Sequence, residues 1–386
     1  MSTVVERSVI VIGLGSIGSM ALWRLAERGV DVLGIEQYGR IHTEGAYAGE
    51  SRLFRVAAKE GELFTPALIR ARHLWQELSA GYGRDVLLPV GALSLAPGDH
   101  PDLKPTLRAI EQFDLPHEVF DADGIRARYP QFHVDDDDIG ILDLSGGAVR
   151  PEMAVAAATE QAAANGADFR YHTTVTAIEP DDTGVRVVTT DGEYHARKVV
   201  VTAGPWTTRV LPEIADLVSI RTFALTWAMP RHVERFAPEL MPGFMRDLDE
   251  VHAFGVPTLD GYSIKICPHI DFDPVHEWAD RPTGLTREQL VWAGEQAQRM
   301  MPDLIPDVSR WSLHSDSWSD TKMPILDTTA DGSVIVASAM SGNGFKFAPI
   351  WGETLADLAT EGPAEFALAP FRIAAHRAAA AEVAPA

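Results

Sequence analysis

Residues Val9 to Glu36, VIVIGLGSIGSMALWRLAERGVDVLGIE, constrain the fold more than any other stretch of the chain. Val9, Ile10, Val11 and Ile12 read as a buried parallel strand that runs directly into Gly13, Gly15 and Gly18, spaced G-x-G-x-x-G. A helix follows, with Met20, Ala21, Leu22 and Leu25 at helical spacing and Gly29 as its stop, and a second strand closes on Glu36. Each part has a physical role. Gly13 permits a tight turn, Gly15 lets the backbone approach a pyrophosphate, and Gly18 lets the helix pack close to the strand, while the free N–H groups of the helix start face the phosphates. Glu36 is placed to accept hydrogen bonds from ribose hydroxyls and to repel the extra phosphate of NADP. Glycines also mark ordinary turns, but here strand, triplet, helix, strand and acid fall in order and predict a dinucleotide site. FAD and NAD use this unit alike, so the motif leaves the choice between them open.

At 386 residues the chain is too long for one ordinary core, and two domains are expected. A formal charge of -22 argues against nucleic acid or an anionic membrane as partner. Cys267 is the sole cysteine, which excludes an internal disulfide and a cysteine cluster and fits a reducing compartment. The polar N-terminal stretch and the lack of a bilayer-length apolar run lead us to expect no targeting peptide and a soluble, cytoplasmic protein. A monomer is expected, with a homodimer left open.

Beyond Glu36 a long polar loop carries Arg52 and Arg55, and residues 63–79 read as an amphipathic helix. Residues 86–145 mix short strands and helices without a glycine fingerprint. Within them, the four acids Asp135 to Asp138 lack the alternate spacing of a calcium loop and read as a solvated turn. From Gly146 the α/β character returns: an alanine-rich helix after Pro151, the strand-like FRYHTTVTAIE, a turn at EPDDTG, and a buried strand ending in Ala203-Gly204-Pro205-Trp206. Residues 219–312 leave the pattern again. They hold the strand-like GYSIKICPH and a helix from Leu285 to Met301 with a Thr286/Gln289 capping box. A last strand, glycine-rich turn and helix follow.

These segments predict an α/β fold with a discontinuous Rossmann-like cofactor domain (1–85, 146–218 and 320–375). An inserted α+β substrate domain (86–145 and 219–319) is expected to rest on a mostly antiparallel sheet, and residues 376–386 to form a frayed tail.

The order of motifs, namely G-x-G-x-x-G, G-E-S-R-x-x-R near residue 50, A-G-x-W near 205, a lysine strand near 265 and S-G-x-G-F-K near 345, resembles the monomeric sarcosine oxidase and N-methyltryptophan oxidase family. That family comprises FAD-dependent amine oxidases related in fold to D-amino-acid oxidase. The resemblance covers almost the whole chain and favours FAD. It implies that Gly13, Gly15, Gly18 and Glu36 hold the ADP half, with Val175 beside the adenine. Ser16, Ile17, Gln37, Ser51, Ala203, Gly204, Trp206, Asn343 and Phe345 join the implied cofactor contacts, and Gly342 and Gly344 let their loop pass the flavin ring. Arg52 resembles the arginine against the flavin, Arg55 and Lys346 the pair that binds the substrate carboxylate, Lys265 the lysine that promotes reaction with oxygen, and His269 the histidine near the substrate.

Two departures stand out. The cysteine through which the family attaches FAD is absent from SLHSDSWSDTKMPILD, so non-covalent FAD is expected, with a link through His314 as the alternative. Tyr47 and Ala48 replace the serine and histidine often found before the arginine motif.

The residues themselves allow blander readings. Arg55 is placed to pair with Glu60 at the surface, and period-two alternation in Tyr262-Ser263-Ile264-Lys265-Ile266-Cys267 permits Lys265 to face water. Lys346, between two phenylalanines after two glycines, is badly placed for a solvated face. The scattered histidines show no ligand spacing, so no metal is expected. His252 and Phe254 are candidates for the pocket mouth, Trp227 and Trp351 for an apolar wall, and Met245 and Met340 for core filler. The function expected is oxidation of secondary amino acids by FAD and oxygen, giving an aldehyde, a primary amino acid and hydrogen peroxide. A fructosyl-amino-acid oxidase and a carrier-linked dehydrogenase are the alternatives.

Overall fold

The computed structural model describes residues 5–329, 332–362 and 368–383. The strand Val5–Ile12 sits inside a sheet, parallel to Val32–Ile35 on one side and Gly192–Val201 on the other. Asp168–Arg170 extends the parallel set beyond Val32–Ile35, and Val334–Ser338 runs parallel to Val199–Val201. Parallel strands buried on both faces need continuous apolar side chains, and Val9 to Ile12 and Val199 to Val201 supply them. The helix Ser16–Glu27 starts directly after Gly15 and covers one face, packed between the helices Pro151–Ala164 and Ala348–Ala359. The helix Thr65–Tyr82 lies behind these, and Arg287–Met300 starts with both capping-box hydrogen bonds in place.

The stretch FRYHTTVTAIE does not form one strand. Asp168–Arg170 and Val175–Asp181 lie at opposite edges of the sheet, and the chain crosses its top between them. His172 adopts a left-handed backbone (φ +56) there, and the Thr173 N–H donates to the Glu36 carbonyl at 3.0 Å. That crossing sets Thr173, Thr174 and Val175 at the strand ends, where the cavity described below opens.

The second large sheet has eight strands, in the order Leu304–Trp318, Ser219–Pro230, Ile264–Pro268, Val251–Val256, Gly243–Leu248, Ala92–Pro97, Asp138–Asp143, His117–Phe120. Every pairing is antiparallel except that of Gly243–Leu248 with Ala92–Pro97. A three-stranded sheet (Arg52–Phe54, Gly147–Val149, Leu87–Leu88) lies where the chain passes between the two large sheets.

Three local expectations are corrected. Asp138 is not part of a solvated turn: it opens a strand, is fully buried, and accepts Arg246 Nη1 and Nη2, both at 2.7 Å. A carboxylate that ends a polar turn can be drawn inside when a buried guanidinium matches its two oxygens. Removing one partner of such a pair leaves an uncompensated buried charge, so Arg246→Met is expected to cost about 3–5 kcal/mol and to lower the melting temperature by several degrees. Scanning calorimetry of the variant checks this.

The tail is helical over Ile373–Val383 rather than frayed, because the buried His376 ring anchors it to Thr321 Oγ1 (3.0 Å) and the Pro324 carbonyl (3.2 Å). Residues 384–386 of that tail lie outside the described residues. Trp351 walls no pocket: it is buried in the core beside Phe347 and Phe371. Among the described residues no helix is long and apolar enough to cross a membrane.

Candidate active site

A single elongated cavity runs from the C-terminal ends of the parallel strands to the face of the second sheet. At its first end lie Gly13, Gly15, Ser16, Ile17, Glu36, Gln37, Val175, Ala203, Gly204 and Trp206. The glycines there are dictated by space. A Cβ on Gly13 (φ +86) would fall 2.7 Å from the Thr202 carbonyl oxygen, whereas one on Gly15 would meet only the Tyr47 ring, at 3.7 Å, and point into the cavity. Gly18 is not at the cavity wall. It lies behind, where a Cβ would sit 1.9 Å from the Gly13 carbonyl oxygen, so its role is the approach of helix to turn.

The buried Glu36 carboxylate is fixed by the N–H groups of Leu14 (2.8 Å) and Tyr38 (3.0 Å). The donor set fits a dinucleotide. The helix Ser16–Glu27 has no side-chain cap on its first turn and no acid there to oppose a phosphate. His42, which also lines the cavity, buries both ring nitrogens without a hydrogen-bond partner among the described residues.

Deeper in the cavity, Gly342, Asn343, Gly344, Phe345 and Lys346 form the turn before the last long helix. Asp316, which the sequence reading missed, holds that turn by accepting the Gly342 N–H at 2.9 Å. Burial pushes the Asp316 carboxyl up to about 6, although the Gly342 and Ser317 N–H groups oppose it. Its only sequence signal is an acid in the alternating S-D-S of a long strand.

Arg52 lines the cavity and donates to the carbonyls of Ser51 (2.9 Å), Ala46 (2.9 Å) and Ala48 (2.5 Å), with the Phe223 ring beside it. Burial lowers its proton affinity to about 10, so it stays charged at neutral pH. Ser51 is fully buried and contributes its carbonyl, not a cavity surface.

Lys265 is turned away from water but, unlike Arg52, is not among the residues that line the cavity. It is 2% exposed and donates to the carbonyls of Gly49 (3.0 Å) and Ser51 (2.6 Å). Burial, reinforced by the charge of Arg52, lowers its ammonium to about 7.

At the far end, Arg55 is buried and lines the cavity. It does not pair with Glu60 at the surface; among the described residues its guanidinium makes no hydrogen bond or ion pair. Glu60 instead accepts the Lys346 ammonium. Burial would raise the Glu60 carboxyl, but the charges of Lys346 and Arg55 outweigh it and hold the group at about 2. Burial pushes the Lys346 ammonium below the usual lysine range; Glu60 opposes this and Arg55 adds to it. Met245, Met340, Phe223, His252 and Phe254 also line the cavity, so the two methionines are cavity wall rather than filler. His252 Nδ1 meets Asp247 Oδ1 at 2.6 Å.

Other expected residues are not brought in. The His269 side chain is 60% exposed and turned to Asp271 (3.0 Å), although its N–H donates to the His252 carbonyl on the neighbouring strand. The two histidines lie opposite each other at the end of the ladder, and the His252 side chain, not that of His269, lines the cavity. Trp227 is buried beside Lys265 rather than at the cavity wall. Cys267 is buried with its sulfur between the Thr226 N–H and carbonyl, and neither it nor His314 lines the cavity. Burial, with the charges of Arg52 and Lys265, drops His314 to about 3. Sequence reasoning also missed Arg209, Thr202 and Tyr47 as lining residues; Tyr47 was noticed only as a departure from a pattern. Among the described residues no group of three or more His, Cys, Asp or Glu side chains is arranged to hold a metal ion.

A glycine-lined strand end and a helix start free of side-chain caps, opening into the same cavity as Arg55 and Lys346, define a dinucleotide-dependent enzyme site. The model of the FAD dependent oxidoreductase family, DAO, matches residues 8–358, and the chain belongs to that family. It is 32% identical over 369 residues to monomeric sarcosine oxidase of Streptomyces avermitilis, covering 92% of this chain and 94% of that one. It is 31% identical over 371 residues to N-methyl-L-tryptophan oxidase of Escherichia coli O127:H6, covering 95% and 98%. The structure resembles the open form of a Tyr258Phe mutant of NikD, an unusual amino acid oxidase essential for nikkomycin biosynthesis, with a TM-score of 0.84 at 24% identity over 95% of this chain and 97% of that one. The chain is an FAD enzyme of the flavin-dependent amine and amino-acid oxidase type.

Proposed function

We propose that the chain oxidises secondary (N-methyl or N-alkyl) amino acids, with Arg55 as the group that binds their carboxylate. The observation that carries this reading is a buried guanidinium in the cavity with no hydrogen bond among the described residues. Desolvating that fork without a partner is costly, and a substrate carboxylate supplies two matched acceptors. Lys346 pairs with Glu60 beside it, which leaves the Arg55 guanidinium to meet the carboxylate. The apolar wall of Met245, Phe223 and Phe254 suits the carbon skeleton of the substrate.

The residues around Gly15, Glu36 and Trp206 would hold FAD, whose bound ring would supply the acceptor for a hydride equivalent from the carbon next to nitrogen and the route for two electrons to oxygen. The amine loses two electrons and two protons. Water then adds to the imine product and splits it into an aldehyde and a primary amino acid, while oxygen takes up two electrons and two protons to become hydrogen peroxide. The residues contribute orientation and charge: Arg55 fixes the substrate, and Lys265 presents a cation where negative charge grows on oxygen. The distribution of strands between the two large sheets supports the division into a cofactor domain (1–85, 146–218, 320–375) and a substrate domain (86–145, 219–319).

The test is anaerobic. Sarcosine, N-methyltryptophan, other N-methyl amino acids and fructosyl-valine are added in turn to the yellow protein. Bleaching by an N-methyl amino acid, with peroxide released on admission of air, is the expected result. Bleaching by fructosyl-valine alone, or reduction without peroxide, would overturn the reading.

A pH dependence follows from Lys265. Its ammonium is present below about 7 and lost above it. Reoxidation by oxygen is therefore expected to be fastest in mild acid and to fall as pH rises through 7, while Lys265→Arg, which keeps a charge, flattens the profile. Stopped-flow mixing of reduced enzyme with oxygen across this range checks it, and an unchanged rate in the parent protein would count against a cationic role.

A further inference from the structure

Lys265 rests on an improbable piece of backbone. The carbonyls that accept its ammonium belong to Gly49 and Ser51, on either side of Glu50. Gly49 (φ +115) and Glu50 (φ +69) both adopt positive φ, and this turn brings the two carbonyls to one atom. Glycine does so freely, but a residue with a Cβ pays for the left-handed region and needs other contacts to keep it there.

Those contacts come from three directions. The Gly49 and Glu50 N–H groups donate to Glu152 Oε1, at 2.7 and 3.2 Å. Glu50 Oε2 accepts the Trp227 indole N–H at 2.5 Å and Arg310 Nη2 at 3.0 Å. Trp227 pairs across the sheet with Lys265 on one strand and with Arg310 on the other. Its ring centroid lies 5.4 Å from Lys265 Nζ and 4.2 Å from Arg310 Cζ.

We propose that Glu50, clamped by Trp227 and Arg310, is a positioning residue: it fixes the turn whose carbonyls hold the Lys265 ammonium and supplies the anion that keeps that ammonium protonated. The proposal rests on the reading of Lys265 as the cation at which oxygen is reduced. The charges around Lys265 set the sign. Burial and Arg52 disfavour its protonation, His314 is neutral, and Cys267, Glu50 and Glu152 favour it. Removing the Glu50 charge therefore lowers the proton affinity of Lys265.

The experiment uses holoenzyme of the parent and of Glu50→Gln, Trp227→Phe and Lys265→Met. Anaerobic reduction and reoxidation are measured separately against pH. The 13Cε resonance of Lys265, assigned by its loss in Lys265→Met, is titrated in lysine-labelled protein, which has only six lysines to resolve. Glu50→Gln is expected to move both the Lys265 titration and the reoxidation midpoint down by about one pH unit, with reduction by substrate within about twofold. Trp227→Phe keeps a ring near the cation and loses the indole donor, so it moves both the same way by less. It also serves if Glu50→Gln does not fold. An unmoved Lys265 titration in both variants would overturn the proposal. If Lys265→Met reoxidises normally, the reading of Lys265 fails instead, whatever Glu50→Gln does to the resonance.

Discussion

Replacing Arg55 with methionine is expected to abolish most reduction by N-methyl amino acids while leaving FAD content and reoxidation by oxygen near parental values. The side chain is 6% exposed and lines the cavity, yet it is spoken for by no acceptor among the described residues. Losing one partner of a desolvated charge pair costs about 2–5 kcal/mol, which corresponds to roughly 30- to several-thousand-fold in affinity. The neighbouring cation does not compensate, because Lys346 is paired with Glu60 and the two leave no net charge once Arg55 is gone. Arg55→Lys restores the charge without the planar fork and is expected to fall between. Anaerobic stopped-flow reduction gives the substrate dissociation constant and the limiting rate separately; the loss belongs chiefly in the dissociation constant. A variant whose reduction efficiency stays within about threefold of the parent would mean that the carboxylate binds elsewhere.

The inner end of the site was legible because its chemistry is backbone chemistry. Gly13, Gly15 and Gly18 are specified by turn angle and close approach, and an acid at the end of the second strand is specified by its ligand, so residue type at fixed spacing carries the information. The outer end was legible only in part. Arg55, Lys346 and Lys265 stand in motifs, but whether each faces the cavity depends on how the second sheet packs against the first. Alternation in the strand Ile264–Pro268 leaves Lys265 on a face without saying what covers it; the turn at Gly49–Ser51 does so from more than 200 residues away in sequence.

His269 shows the opposite failure. Its spacing from Lys265 puts it just past the end of the same strand, but it is the side chain of His252, opposite it on the neighbouring strand, that reaches the cavity. The split of residues 168–181 has the same origin, since β-propensity cannot say that one apolar run serves two edges of a sheet. Asp138 and Arg246, 108 residues apart, could each be read only as a surface charge until the fold buried them together.

Gly18→Ala and Gly15→Ala are expected to lose FAD for different reasons, and the pair separates fold from binding. On Gly18 the added Cβ would fall 1.9 Å from the Gly13 carbonyl oxygen and 2.5 Å from Thr202 Oγ1. The first of these is backbone and cannot swing away. The start of the helix Ser16–Glu27 must move outward, which breaks its contact with the turn and carries the first-turn N–H groups off the phosphate position. Overpacking of this kind costs about 1–3 kcal/mol or more, so the apoprotein itself is expected to melt several degrees lower. On Gly15 the Cβ meets only the Tyr47 ring, at 3.7 and 3.9 Å, which is ordinary contact, and it projects into the cavity where a dinucleotide backbone must approach. Apo Gly15→Ala should therefore melt like the parent apoprotein but gain little from added FAD, whereas apo Gly18→Ala starts low. Thermal melts of stripped protein with and without FAD, together with the ratio of flavin to protein absorbance after purification, give both quantities. A Gly18→Ala apoprotein as stable as the parent would show that the helix tolerates the shift, and a Gly15→Ala protein that retains a full complement of FAD would place the pyrophosphate away from this turn.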